Sequence, residues 1–131
     1  MKKAFLKRFA ILSLLVSLCV ILSGCSAGDF DGSRVANEGG FWLEYSMLNR
    51  ECTADLALSE GDQLEVVIAH SAGDADVIVG LPGKDPLYRG NGQKNGEFKL
   101  PISETGTYSI SVTGHKAKGS VSITRVPAAG E

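Results

Sequence analysis

From Phe41 to Ile123 apolar residues recur at every second position, in short runs separated by turn-forming residues. Phe41, Leu43, Tyr45 and Met47 alternate with Trp42, Glu44 and Ser46. Ala54, Leu56 and Leu58 form a second run, Leu64, Val66 and Ile68 a third, and Val77, Val79 and Leu81 a fourth. Phe98, Leu100 and Ile102 follow, then Tyr108, Ile110 and Val112 between Ser109, Ser111 and Thr113, and finally Val121 and Ile123. Successive side chains of an extended chain point to opposite faces, so this alternation describes strands with one face buried and one face wet. A helix needs a period near 3.6, and no window after residue 25 offers one.

Turn chemistry falls between the runs: Glu60-Gly61-Asp62, Ser71-Ala72-Gly73-Asp74, Pro82-Gly83-Lys84-Asp85, Gly90-Asn91-Gly92, Glu104-Thr105-Gly106 and Lys118-Gly119. Glycine and asparagine supply positive φ, and proline presets φ for a turn. Many short strands with regular turns predict an all-β fold, a single antiparallel β-sandwich of jelly-roll or immunoglobulin-like type, over residues 41–126, with a disordered tail at 127–131. Glu104-Thr105-Gly106-Thr107-Tyr108 resembles the Gly-x-Tyr start of a late strand in many sandwiches, where the tyrosine hydroxyl ties back to an earlier backbone group.

The N-terminus carries an address. Lys2, Lys3, Lys7 and Arg8 precede an uncharged, nearly all-apolar run from Phe9 to Leu22. A signal-peptide core needs about 7–15 such residues, and a bilayer span about 20. Leu22-Ser23-Gly24-Cys25 resembles the bacterial lipobox, and residues 1–24 are read as a lipoprotein signal peptide, helical in its apolar part. The resemblance implies that the Cys25 thiol is lipidated and that cleavage makes Cys25 the mature N-terminus. Two or three acyl chains, at about 0.8 kcal/mol per buried CH₂, form a firm anchor. The expected location is the extracytoplasmic face of a cell membrane. Residues 25–40, rich in Gly, Ser, Ala, Asp and Asn, read as the lipidated cysteine and a flexible tether, although Ser33 to Ala36 alternatively add an edge strand.

The stretch from Leu56 to Ile123 is similar to small, uncharacterised lipoproteins of Gram-positive gut bacteria. The cues are Leu58-Ser59-Glu60-Gly61-Asp62, Pro86-Leu87-Tyr88-Arg89-Gly90 and Val112 to Ser120. They are scaffold cues, and the resemblance implies a fold and a location without an activity.

Charge narrows the partners. Four of the 13 basic residues lie in the leader and none of the 15 acidic ones does, so the mature chain is acidic. That disfavours nucleic acid and anionic lipid surfaces. Cys19 leaves with the leader and Cys25 becomes a thioether, so Cys52 has no partner for a disulfide and reads as a small buried hydrophobe.

No catalytic motif stands out, and no cofactor or metal is assigned. His70, Asp74 and Asp76 offer the donor types of a metal cluster, but their spacing matches no ligand motif. Asp29-Phe30-Asp31-Gly32 lacks the distal glutamate of a calcium loop. Gly90-Asn91-Gly92 lacks the Lys-Ser/Thr ending of a phosphate loop and reads as a strand connection. Residues 41–126 contain no Gly-x-Ser-x-Gly elbow. The expected function is a non-catalytic binding or accessory module for a protein, peptide or glycan. The alternatives are a small hydrolase or metal-dependent enzyme using His70 or His115, and a structural lipoprotein of the envelope. The binding candidates are Trp42, which alternation sends outward, and Tyr88, in a Pro/Gly-bounded segment.

Overall fold

A computed structural model describes residues 29–128. They form seven strands: β1 (Phe30–Asn37), β2 (Gly40–Leu48), β3 (Glu51–Leu58), β4 (Gln63–Gly80), β5 (Tyr88–Gln93), β6 (Asn95–Pro101) and β7 (Gly106–Val126). All pairings are antiparallel and belong to one sheet. The signal-peptide segment and Cys25 lie outside the described residues.

Two long central strands organise the sheet. β7 pairs β4 along the whole length of β4, from Gln63↔Val126 to Gly80↔Ser109. The first half of β4 pairs β6, and the second half pairs β5. The second half of β7 pairs β2, which carries β1 on its far side, and the first half of β7 pairs β3. The sheet therefore has two halves, β1-β2-β7-β4-β6 and β3-β7-β4-β5, joined through continuous central strands.

The expected turns at Ser71–Asp74 and Lys118–Gly119 do not end strands. The chain crosses both places within β4 and β7, with register shifts between His70 and Ala72 and between Ala72 and Asp74. A bulge bends a strand and increases its twist without breaking the pairing, so period-two runs on either side belong to one strand. The bend has backbone requirements. Gly73 has φ +66°, and a Cβ there would sit 2.3 Å from the Lys116 carbonyl oxygen, so only glycine fits. Lys116, opposite, has φ 48°. β5 and β6 cross the same waist at Lys94, so Gly90-Asn91-Gly92 lies within a strand rather than forming a connection. Tyr88, placed in a loop by sequence, begins β5.

The edge-strand alternative for residues 33–36 is the one observed. Phe30–Asn37 pairs with β2 from Phe30↔Leu48 to Asn37↔Gly40, although its side chains are nearly all exposed. Side-chain contacts hold it: the Arg34 guanidinium donates to the Thr53 carbonyl of β3 and lies 5.2 Å from the Phe41 ring centroid. A Gly/Ser/Asn-rich composition thus belongs to a strand without a buried face.

The apolar faces of both halves form one cluster of buried side chains. Phe41, Leu43, Leu64, Val66, Ile68, Val121 and Ile123 come from the first half, and Leu56, Val77, Val79, Ile110 and Val112 from the second. Tyr108, Ile110 and Val112 are buried while Ser109, Ser111 and Thr113 stay partly exposed, so the expected register of β7 holds. The Tyr108 hydroxyl donates to the Glu104 carbonyl at 2.6 Å, the backward tie that the Gly-x-Tyr resemblance implied. Burial, and secondarily the Glu104 charge, raise the Tyr108 pKa. Cys52 is buried and free.

Asp62, read from sequence only as part of a turn, is the one fully buried charged side chain among the described residues. Its Oδ2 accepts from Arg125 Nε and from the Ser59 amide, both at 2.8 Å, and its Oδ1 accepts from the Ala128 amide at 3.2 Å. The hydrogen bond from Arg125 is the main cause of its lowered pKa, followed by the bond from Ser59. One carboxylate thereby fastens the β3–β4 turn to the end of β7. Ala128, in the segment expected to be tail, is held in the same way.

Candidate functional site

Three polar arrangements on this scaffold have the chemistry of a site. The first is the outward face of β1, β2 and β7. Antiparallel register sets Val35 against Trp42 and Trp42 against Ser122 in one row, and Ser33 against Glu44 and Glu44 against Ser120 in the next. Side chains directly opposite one another share a face, so these residues form one surface. An open groove of about 780 Å³ runs along it between Asp31, Ser33, Glu44, Ser46, Ser71, Lys118 and Ser120. A smaller hollow containing Trp42, Val35 and Ser122 shares Ser33, Glu44 and Ser120 with that groove.

Trp42 is half-buried, and its indole Nε1 donates to Thr124 Oγ1 at 3.1 Å. The alternation of β2 sends it to the outer face, as expected, and the Thr124 bond fixes the ring there. Tyr88, the other candidate, has a different setting. It packs against the core and lies 4.7 Å, centroid to centroid, from the Phe98 ring, so its aromatic surface is engaged between β5 and β6.

The second arrangement surrounds His70 at the waist. Its Nδ1 lies 3.0 Å from the Gln93 carbonyl and 3.1 Å from that of Lys94. Carbonyls only accept, so Nδ1 carries the proton and donates. In the neutral ring Nε2 then accepts from the Tyr45 hydroxyl, at 2.5 Å. Burial, with a smaller contribution from the neighbouring Cys52, pushes the Tyr45 pKa up to about 12, which keeps this hydroxyl protonated as a donor. His70 therefore ties β2, β4 and the β5–β6 junction together. It does not join Asp74 and Asp76, its neighbours in the sequence.

The third arrangement is the one those aspartates do make. Asp74 is the cross-strand neighbour of His115. His115 Nδ1 lies 3.3 Å from Asp74 Oδ1, and Nε2 lies 3.4 Å from Asp76 Oδ2. Asp74 and Asp76 share a face because they are two residues apart on a strand, with buried Ala75 between them pointing the other way. The Gly92 amide donates to Asp76 Oδ1 at 2.8 Å and orients that carboxylate. Sequence separation hides the grouping, since His115 comes from another strand and only the β4–β7 register brings it there. No known protein family matches this chain, and no curated protein aligns with it. Any account of function therefore stands on these side chains. Among the described residues no helix is long and apolar enough to cross a membrane.

Proposed function

We propose that this chain is an extracytoplasmic lipoprotein of the small Gram-positive type, anchored through acyl chains on Cys25. Its folded domain is a non-catalytic binding module, with the two half-sheets as the layers of a β-sandwich. Of the ligand classes open to it, the outer face of β1-β2-β7 best suits a glycan.

The observation that carries this choice is the composition of that face. One pinned indole stands beside two carboxylates and a row of serine hydroxyls along an open groove. An aromatic ring offers an apolar surface to the carbon face of a sugar, and Glu44, Asp31 and the serines offer hydrogen bonds to its hydroxyls. Trp42 is held before any ligand arrives, which lowers the entropy cost of binding. If Cys25 is the anchor, only four residues separate it from the start of β1 at Phe30. An extended chain spans at most about 3.6 Å per residue, which would hold the Phe30 end of β1 within roughly 20 Å of the membrane and suits a ligand of the inner envelope.

The test is a glycan-binding screen with the full-length protein in detergent, including envelope polysaccharides and peptidoglycan fragments. Trp42→Ala and Glu44→Gln should each weaken the recovered interaction without altering the circular dichroism spectrum. Retention of full binding by both variants would reject this face as the site. Lipidation is tested separately by mass spectrometry of the mature N-terminus, which should carry a diacylglyceryl mass on Cys25 and lose it in Cys25→Ala.

A further inference from the structure

We propose that Asp74, Asp76 and His115 form a binding site for a divalent transition-metal cation, zinc first among them. The site is separate from the glycan-binding proposal and does not depend on it.

The donor set is mixed, two carboxylates and one imidazole, and its ligand atoms lie within 4.8 Å of one another. Imidazole together with carboxylate suits zinc and its neighbours, whereas calcium and magnesium prefer oxygen alone. Bound to zinc at about 2.0–2.1 Å, tetrahedral ligand atoms stand about 3.3 Å apart. A cation takes one ring nitrogen, and that nitrogen already stands 3.3 Å (Nδ1 to Asp74) or 3.4 Å (Nε2 to Asp76) from one carboxylate, with the other carboxylate's ligand atom within 4.8 Å. Charge-assisted N–H···O bonds are shorter, about 2.7–2.9 Å, so the groups converge without closing good hydrogen bonds on one another. A cation seated against one ring nitrogen would take the place of a proton there and draw in both carboxylates by side-chain rotation.

Three further observations favour a cation at this place. Two carboxylates on one face of a strand repel each other, and a divalent cation cancels both charges against a neutral imidazole. The ligands stand on β4 and β7, the two central strands, where the cross-strand register of Asp74 and His115 fixes their spacing. The Gly92 amide occupies Asp76 Oδ1 and leaves Oδ2 turned toward the ring, an outer hydrogen bond of the kind that orients metal-binding carboxylates. The aspartate side chains remain about one-third exposed and that of His115 about half, so water or a ligand oxygen can complete the coordination shell.

The experiment is calorimetric titration of zinc chloride into EDTA-stripped full-length protein in detergent. One equivalent should bind. His115→Ala and Asp76→Asn should each weaken binding by at least about tenfold, the lower end of what loss of even an outer-sphere partner costs a metal site. Asp74→Asn keeps the shape of its side chain and decides the matter if His115→Ala does not fold. A parallel cobalt titration reads the donor atoms: visible bands without sulfur-to-cobalt charge transfer fit this site. Absence of binding, a sulfur charge-transfer band from the cysteines, or unchanged affinity in Asp76→Asn and Asp74→Asn would overturn the proposal.

Discussion

Asp62 and the pair Asp74/Asp76 are aspartates on one sheet with opposite surroundings. Asp62 is fully buried, and its two oxygens take three protein donors at 2.8, 2.8 and 3.2 Å. Asp74 and Asp76 stand partly in water, and their approach to His115 stops at 3.3 and 3.4 Å. A buried charge must be saturated by the protein because an unsatisfied one is costly. An exposed carboxylate is under no such constraint and keeps capacity for a partner that comes and goes. The first arrangement is therefore a structural fastening, and the second has the form of an exchangeable site.

Substitutions separate the two. Core truncation sets the upper scale: Ile110→Ala should cost about 2–5 kcal/mol in urea denaturation, as buried aliphatic truncations do. Asp62→Ala should approach that effect, since it removes the bonds from Arg125 and from the Ser59 and Ala128 amides together. A loss no greater than that of a surface change would break the contrast. The same carboxylate predicts a pH dependence. Its folded pKa is depressed, chiefly by the bond from Arg125. Its contribution is therefore fully present above the unfolded value of about 3.9 and is lost as pH falls below that through the lower folded value. The stability gap between the parent protein and Asp62→Asn should be constant from neutral pH to about 5 and narrow progressively below about 4.

Smaller effects sharpen the comparison. Tyr108→Phe removes one hydroxyl bond to the Glu104 carbonyl and should cost about 0.5–1.5 kcal/mol. Asp76→Asn, in metal-free buffer, should stay within about 0.5 kcal/mol of the parent, because the amide oxygen still accepts from Gly92. Ser111→Ala, on the wet face of β7, should be equally mild. If Asp76→Asn proved as damaging as Asp62→Ala, the open cluster would be structural after all.

The alternation from Phe41 to Ile123 was enough to mark most of the paired segments, most of their inward residues and the all-β class, because period two is a local property of an extended chain. β5 lacks that alternation and reads as a loop, and Met47 is turned outward by the irregularity between Tyr45 and Leu48. Tyr108 and its tie to Glu104 were legible for the same reason, since four residues separate donor and acceptor. Strand ends were not. Gly73 marks a turn in sequence, yet tertiary pairing on both edges of β4 carries the chain through it as a bulge. The strand status of residues 30–37 was also open, because β1 buries almost nothing and is held by pairing with β2 and by Arg34.

The polar sites divide in the same way. Trp42 faces outward by alternation alone, so its face could be read from β2. What lies beside it depends on β1 and β7, which are 7 residues and 80 residues away along their pairing register. The grouping of His115 with Asp74, and the departure of His70 to Tyr45 and the β5–β6 junction, required the β4–β7 and β4–β6 registers. Local order along a chain sets which way each side chain points. Only long-range pairing sets which side chains meet, because it is fixed by burial of the whole core and not by any one segment.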